Sequence, residues 1–215
     1  MIRIAVDGPG GAGKSTIAKL VAKELNIDYI DTGAMYRATG LKIIRTGIDM
    51  NNEEELVNML ADTEIDFSAG KTILDGEDIS GFIRTEEVSK MASACSALGP
   101  VREKLVELQK KMAASKSVIM DGRDIGTNVI KDAELKIFLT ASAEERAKRR
   151  YDELIAKGQE ADYEKVLVDI NARDYNDTHR KLNPLAKADD AIELDTTHMT
   201  IDEVTAFIIE KANNI

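Results

Sequence analysis

Short apolar runs alternate with stretches of helical period along most of the chain. The runs at residues 2–7, 28–31, 117–121, 135–140 and 191–195 have the length of strands. The longer ones pass almost without a polar break, as strands covered on both faces do. Between them, Ile17, Leu20, Val21 and Leu25 keep the 3.6-residue period. Val101, Leu105, Leu108 and Met112 keep it again after Gly99-Pro100, where proline suits the first helical turn. "SAEE" at 142–145 and "TIDE" at 200–203 read as capping boxes that start two further helices. The alternation predicts an α/β fold with a five-stranded parallel sheet flanked by helices, and it puts ligands beyond the carboxyl ends of the strands.

Two stretches break the rhythm. Residues 63–84, "TEIDFSAGKTILDGEDISGFIR", hold short β-type pieces with turns at Ala69-Gly70 and Asp75-Gly76. The Asp-Gly pair is a hairpin signal, so this is read as a small antiparallel insert. Residues 144–178 are rich in charge and read as helix, loop around Gly158, helix. No internal repeat or low-complexity tract appears, and 215 residues fit one domain with inserted parts.

Charge narrows the partners. Lys and Arg number 29 against 39 Asp and Glu, a formal net charge of −10, which argues against a protein that coats nucleic acid. An acidic protein that handles phosphate must gather its basic residues locally, so individual arginines become informative. The lone Cys95 allows no internal disulfide and fits a reducing compartment; His179 and His198 are the only imidazoles and lack zinc-site spacing. No stretch reaches the roughly 18 apolar residues of a membrane span and the first residues lack a secretory pattern, so a cytoplasmic location is expected.

"GPGGAGKST" at 8–16 follows the first apolar run and precedes the first helical pattern. Gly8, Gly13, Lys14 and Ser15 have the P-loop spacing G-x-x-x-x-G-K-[ST], with Pro9, Gly10, Gly11, Ala12 and Thr16 completing the stretch. Its glycines let backbone N–H groups turn inward around phosphates, at a helix N-terminus whose dipole favours anions. Lys14 is expected to reach the β- and γ-phosphates of ATP and Ser15 to ligate Mg²⁺. Asp121, ending "SVIMD", is either a second acid acting on the metal through water or simply the close of a strand.

The acceptor is the harder question. "DTGAMYR" at 31–37, "SACSALGPVR" at 93–102, "DGRDIGT" at 121–127 and "RDYNDTHR" at 173–180 each bring arginine to the expected ligand edge. Each has a plainer reading: Arg173 and Asp177 as an exposed helical pair, Thr32 as a helix cap, Asp124 as a cap or partner of Arg123. Taken together they suggest an anionic acceptor. An alcohol needs a base to remove its proton, whereas a phosphate monoester near pH 7 is already a nucleophilic dianion. Guanidinium groups can hold two polyanions in line, so several arginines with no evident base favour a nucleoside monophosphate.

With these residues in view, the sequence resembles the bacterial cytidylate kinases of the nucleoside monophosphate kinase group. "IAVDGPGGAGKST", "YIDTGAMYRA", "IRTEEVS", "VREKL", "MDGRDIGTNV", "KIFLTASAEERAKRR" and "NPLAKADDAIELDTT" carry the likeness nearly end to end. The resemblance implies one P-loop kinase domain over 1–215, a monophosphate-binding region at 32–102 with its β insert at about 63–84, and a lid at 144–170. It implies phosphoryl transfer from MgATP to CMP or dCMP by a monomer. Ser93, Arg102 and Asp124 would contact the cytosine ring. Arg37, Arg123 and Arg180 would hold the acceptor phosphate, with Arg173 near phosphate and sugar, Asp177 on the sugar hydroxyls and Thr32 keeping a hydroxyl at its position. Lys14, Arg123, Arg173 and Arg180 form the implied catalytic set. Of the lid residues Arg146, Arg149 and Arg150, the last is singled out for the transferring group. Two rival readings stay open: another P-loop small-molecule kinase, or a nucleotide-dependent switch without an acceptor.

Overall fold

The computed structural model describes residues 1–68 and 70–215; the expected turn at Ala69 lies outside the described residues. The chain divides into two compact units, one of residues 1–29 and 115–215, the other of residues 30–114.

The first unit carries the parallel sheet. In chain order its elements are β1 (Arg3–Asp7), α1 (Lys14–Leu25) and the start of β2 (Asp28–Asp31), which leads into the second unit. That unit contains α2 (Thr32–Thr46), α3 (Glu53–Ala61), β3 (Ile65–Ser68), β4 (Lys71–Leu74), β5 (Glu77–Asp78), α4 (Glu86–Cys95) and α5 (Gly99–Ala113). The first unit resumes with β6 (Val118–Gly122), a π-type turn at Ile125–Val129, β7 (Leu135–Thr140), α6 (Ala143–Ala156), α7 (Tyr163–His179), β8 (Ile192–Asp195) and α8 (Ile201–Asn213).

The five strands expected from the apolar runs form one sheet in the order β2-β6-β1-β7-β8. The central strand β1 pairs in parallel with β6 (Arg3 opposite Val118) and with β7 (Ile4 opposite Leu135). Ile4, Ala5, Val6, Val118, Ile119 and Met120 are buried, which is why these strands read as continuous apolar runs rather than alternating ones. One face is covered by α1 and α8: Ile17, Val21, Val204 and Ile208 join Ile4, Val6, Ile137 and Leu139 in a single cluster. Helix ends follow their local chemistry with two departures. Thr200 and Glu203 form the full reciprocal cap at α8. Ser142 caps α6 by accepting from Glu145 N, but the Glu145 side chain is drawn to Arg149 at 3.1 Å, so that box is half made. At α2 the cap is Asp31, accepting from Ala34 N at 2.8 Å, and not Thr32, which is the buried first helical residue.

The second unit holds the three-stranded antiparallel sheet β3-β4-β5 within the stretch 63–84. Asp75 (φ 50°) and Gly76 (φ 84°) make its second turn in the left-handed region, as the Asp-Gly pair implied. In the same unit α2 and α4 approach closely at Gly40, where a Cβ would lie 3.0 Å from Ala92 N.

The most demanding glycine is Gly8, where β1 gives way to the P-loop. Its φ is 146° and a Cβ there would sit 1.9 Å from the Leu139 carbonyl oxygen of β7. Gly8→Ala should therefore cost about 2–6 kcal/mol through backbone strain and overpacking, a fall in Tm of roughly 5–20 °C. Gly158→Ala is the control: φ is 72° with nothing within 4 Å of a Cβ. It should cost only about 1–2 kcal/mol. Thermal melts that show equal losses would contradict the close approach at Gly8.

Candidate active site

In the first unit the P-loop leaves the carboxyl end of β1 and runs into α1. Gly8, Gly11 and Gly13 all have positive φ, which turns successive amides toward one side. Pro9 and Ala12 are buried, while Gly11 and Thr16 are exposed. Lys14 is buried and donates from Nζ to the Pro9 carbonyl at 2.7 Å, so its ammonium already curls over the loop. Ser15 Oγ donates to Asp121 Oδ2 at 2.8 Å, and Tyr29 donates its hydroxyl to Asp121 Oδ1 at 2.7 Å. Asp121 thus does more than close β6: it is fixed directly beside the P-loop serine.

Arginines line the same loop. A Cβ built on Gly10 would lie 3.3 Å from Arg123 Nη2 and 3.6 Å from Arg173 Cδ. Arg123 Nε donates to Asp177 Oδ2 at 2.7 Å, and Arg180 Nη2 donates to Asp124 Oδ1 at 3.0 Å. Beyond the plainer local pairings, these two pairs join the turn after β6 to α7 and its C-terminal cap. Asp124 and Asp177 are both buried. The Asp177 carboxyl sits below its ordinary range: burial raises it, but the charges of Arg123, Arg173 and Arg180 and the Arg123 hydrogen bond outweigh that.

Helix α6 adds an arginine that the sequence pattern grouped with the lid. Arg146 is buried and donates to the carbonyls of Gly10 (3.0 Å) and Ala141 (2.9 Å) and to Asp174 Oδ2 (2.6 Å). It braces the P-loop from behind. Arg149 reaches Glu145 and the Thr196 carbonyl, and Arg150 pairs with Glu153 at 3.0 Å.

The remaining candidates lie in the second unit. Thr32 is buried at the start of α2, and Arg37 Nη2 donates to Asp31 Oδ2 at 2.9 Å. Arg37 Nε is buried with no hydrogen-bond partner among the described residues. Arg102, on α5, is 2% exposed, packs over the Tyr36 ring at 5.8 Å and donates to the Ser96 carbonyl. Ser93 lies on α4, its carbonyl accepting from Ser96 Oγ at 2.8 Å.

Several participants carry no sequence signal of their own. Asp7 closes β1 as a buried acid, with its two oxygens accepting from Ile125 N and Gly126 N, each at 2.8 Å. Burial pushes its carboxyl up to about 6 against those two hydrogen bonds. Tyr29 and Asp174 likewise gain their roles only through partners far away in the chain. A carboxylate that ends a strand before a P-loop is the one hint that Asp7 gave.

An oxygen-only donor set of one hydroxyl and one carboxylate suits Mg²⁺, which keeps most of its shell as water and substrate phosphate. Among the described residues there is no cluster of three or more His, Cys, Asp or Glu that would hold a metal by itself. Ser15 and Asp121 thus fit a Mg²⁺ that arrives with a nucleotide. No helix among the described residues is long and apolar enough to cross a membrane.

A P-loop on a parallel sheet, with its lysine and arginines around it, defines a P-loop nucleotide-binding protein. Solved structures agree on the fold. An uncharacterized protein from Eubacterium ventriosum has a TM-score of 0.55 at 14% identity, covering 100% of both chains. A shikimate kinase from Bacteroides thetaiotaomicron has a TM-score of 0.50 at 16% identity, covering 97% of each. Sequence narrows the class. The family profile described as cytidylate kinase matches residues 4–214. A cytidylate kinase from Caldicellulosiruptor saccharolyticus is 54% identical over 213 residues, 97% of this chain and 94% of that one. Another, from Clostridioides difficile, is 52% identical over 210 residues, 98% and 97% of the two chains. The chain belongs to the cytidylate kinase family.

The P-loop lysine supplies a pH signature. Burial drives Lys14 down to about 7, helped by the charges of Arg123 and Arg173 and opposed by Asp121 and Asp7. A polyphosphate beside it favours the ammonium, so MgATP binding should take up close to one proton at about pH 8 and almost none at about pH 6. Calorimetry in buffers of different ionisation enthalpy reads this directly. Lys14→Met should remove the uptake, and a wild-type binding heat independent of buffer at about pH 8 would contradict the assignment.

Proposed function

We propose that this protein transfers the γ-phosphoryl group of MgATP to CMP or dCMP, giving ADP and CDP or dCDP, by in-line attack of the acceptor phosphate without a general base. The observation that carries the reading is the placement of Arg123 and Arg173 against Gly10 of the P-loop, in the same unit as the Arg180–Asp124 pair. Guanidinium groups beside a phosphate loop hold two anions together, which is the main obstacle when both reactants are phosphates. His179 stacks on the exposed Tyr175 at 4.0 Å and its Nδ1 hydrogen-bonds to the Tyr175 carbonyl, which supports a reaction without a histidine base. An acceptor dianion does not need one.

Each residue then has a task. Residues 8–16 cradle the ATP phosphates, with Lys14 on the β- and γ-oxygens. Ser15 and, through water, Asp121 hold the Mg²⁺, which neutralises charge on those oxygens. Arg37, Arg123 and Arg180 grip the acceptor phosphate, Arg173 lies near phosphate and sugar, and Asp177 accepts from the sugar 3′-hydroxyl. Thr32 adds a hydroxyl to the acceptor side. Asp124 accepts from the cytosine amino group, Arg102 donates toward the O2 and N3 acceptors, and Ser93 contacts the ring. Uracil would turn a carbonyl toward Asp124, and two facing acceptors in a dry site cost about 1–3 kcal/mol. Within a lid at 144–170, Arg150 would have to leave Glu153 to reach the transferring group, and closure keeps water from the γ-phosphate. The enzyme acts as a monomer on small-molecule substrates.

Release of ADP from MgATP tests the proposal with no acceptor, CMP, dCMP, UMP, AMP or GMP present. A strong rise with CMP and dCMP and little with the others is expected. A flat response across all acceptors with intact ATP binding would overturn the kinase reading in favour of a nucleotide switch, and a rise with another monophosphate alone would overturn the base assignment.

A further inference from the structure

Buried strand ends are ordinarily apolar, and β1 keeps that rule through Ile4, Ala5 and Val6 before breaking it at Asp7, which is 5% exposed. A carboxylate in such a place is costly unless its oxygens are satisfied. Both are satisfied by backbone: Oδ1 accepts from Ile125 N and Oδ2 from Gly126 N, each at 2.8 Å. Those two amides open the π-type turn Ile125–Val129, whose first N–H groups have no partner inside the turn. Asp124 is the residue just before it, with φ −146° and ψ 30°. Its side chain is tied separately, to Arg180 Nη2 at 3.0 Å and to Asn128 Nδ2 at 3.2 Å. Gly126 leaves the room this needs, because a Cβ there would stand 3.4 Å from Asp7 Oδ2 and 3.1 Å from Lys136 Cδ.

We propose that Asp7 is a positioning residue for the acceptor: by gripping the Ile125 and Gly126 amides it sets where Asp124 and Arg123 stand relative to the P-loop that begins at the very next residue. This rests on the reading of Asp124 and Arg123 as acceptor-binding groups. A single side chain thereby links the donor loop to the segment that reads base and phosphate. A fork of two acceptors is required, since an amide in its place would set one N–H against another. The burial that holds the Asp7 carboxyl near 6 reflects the cost of keeping a charged acceptor there.

Asp7→Asn keeps the shape and loses one acceptor. Misplacing reacting or recognising groups by an ångström costs about 100-fold, so kcat/KM for CMP should fall by about that factor. The Kd for MgATP should stay within about threefold, because the P-loop amides bind phosphate on their own. The CMP-over-UMP ratio should drop to that of Asp124→Asn, and the double variant should lose little more than either single one. Parallel losses in MgATP and CMP affinity, or a wild-type CMP-over-UMP ratio with only a lowered Tm, would show that Asp7 is merely structural and overturn the proposal. Asp7→Ser keeps one oxygen acceptor but cannot span both amides, and it is read by the same measures if Asp7→Asn does not fold. Asp124→Asn alone separates the two questions: an unchanged base preference there refutes the base reading, and Asp7 is then judged by the CMP-against-MgATP split.

Discussion

The structure depends on holding like charges together before any phosphate is present. Lys14, Arg123 and Arg173 crowd one loop, and in a chain of net charge −10 three arginines of the first unit are each steadied by a particular acid. Asp177 takes Arg123, Asp124 takes Arg180, and Asp174 takes Arg146. Buried pairs of this kind add little net stability, because desolvation offsets their attraction, yet removing one partner costs about 3–5 kcal/mol. Their value lies in placement. A guanidinium already in position can exchange a carboxylate for a phosphate with little reorganisation.

The parallel sheet makes that arrangement attainable. It delivers β1, β6 and β7 side by side, so the P-loop, the turn after β6 and the start of α6 emerge at one edge. Gly8 lets the loop lie against β7, and Arg146 braces Gly10 from α6. Asp7 then fastens the neighbouring turn to the end of β1. These contacts involve backbone groups, which explains how a loop of small residues keeps one shape.

Much of this was legible in the chain. Continuous apolar runs marked the strands to within a residue or so, because strands covered on both faces cannot hide polar positions. The P-loop announced itself by spacing, and Asp75-Gly76 by the backbone it requires. What stayed hidden is long-range pairing. Arg123 and Asp177 are 54 residues apart and Arg180 and Asp124 are 56, so nothing local distinguishes those pairs from Arg173–Asp177 or Arg123–Asp124. Arg146 read only as one of three lid arginines, since only the fold brings Gly10 to it. Asp31 displaced Thr32 as a cap because both are good cap residues and the local pattern cannot choose between neighbours.

The central claim is that the poised arginines exist to receive a phosphate dianion. Calorimetric titration of the protein with cytidine and with CMP tests it most directly, since the two differ only in that phosphate. CMP should bind at least about 100-fold more tightly, the equivalent of two or more charge-assisted hydrogen bonds. Equal affinity for the two would contradict the account.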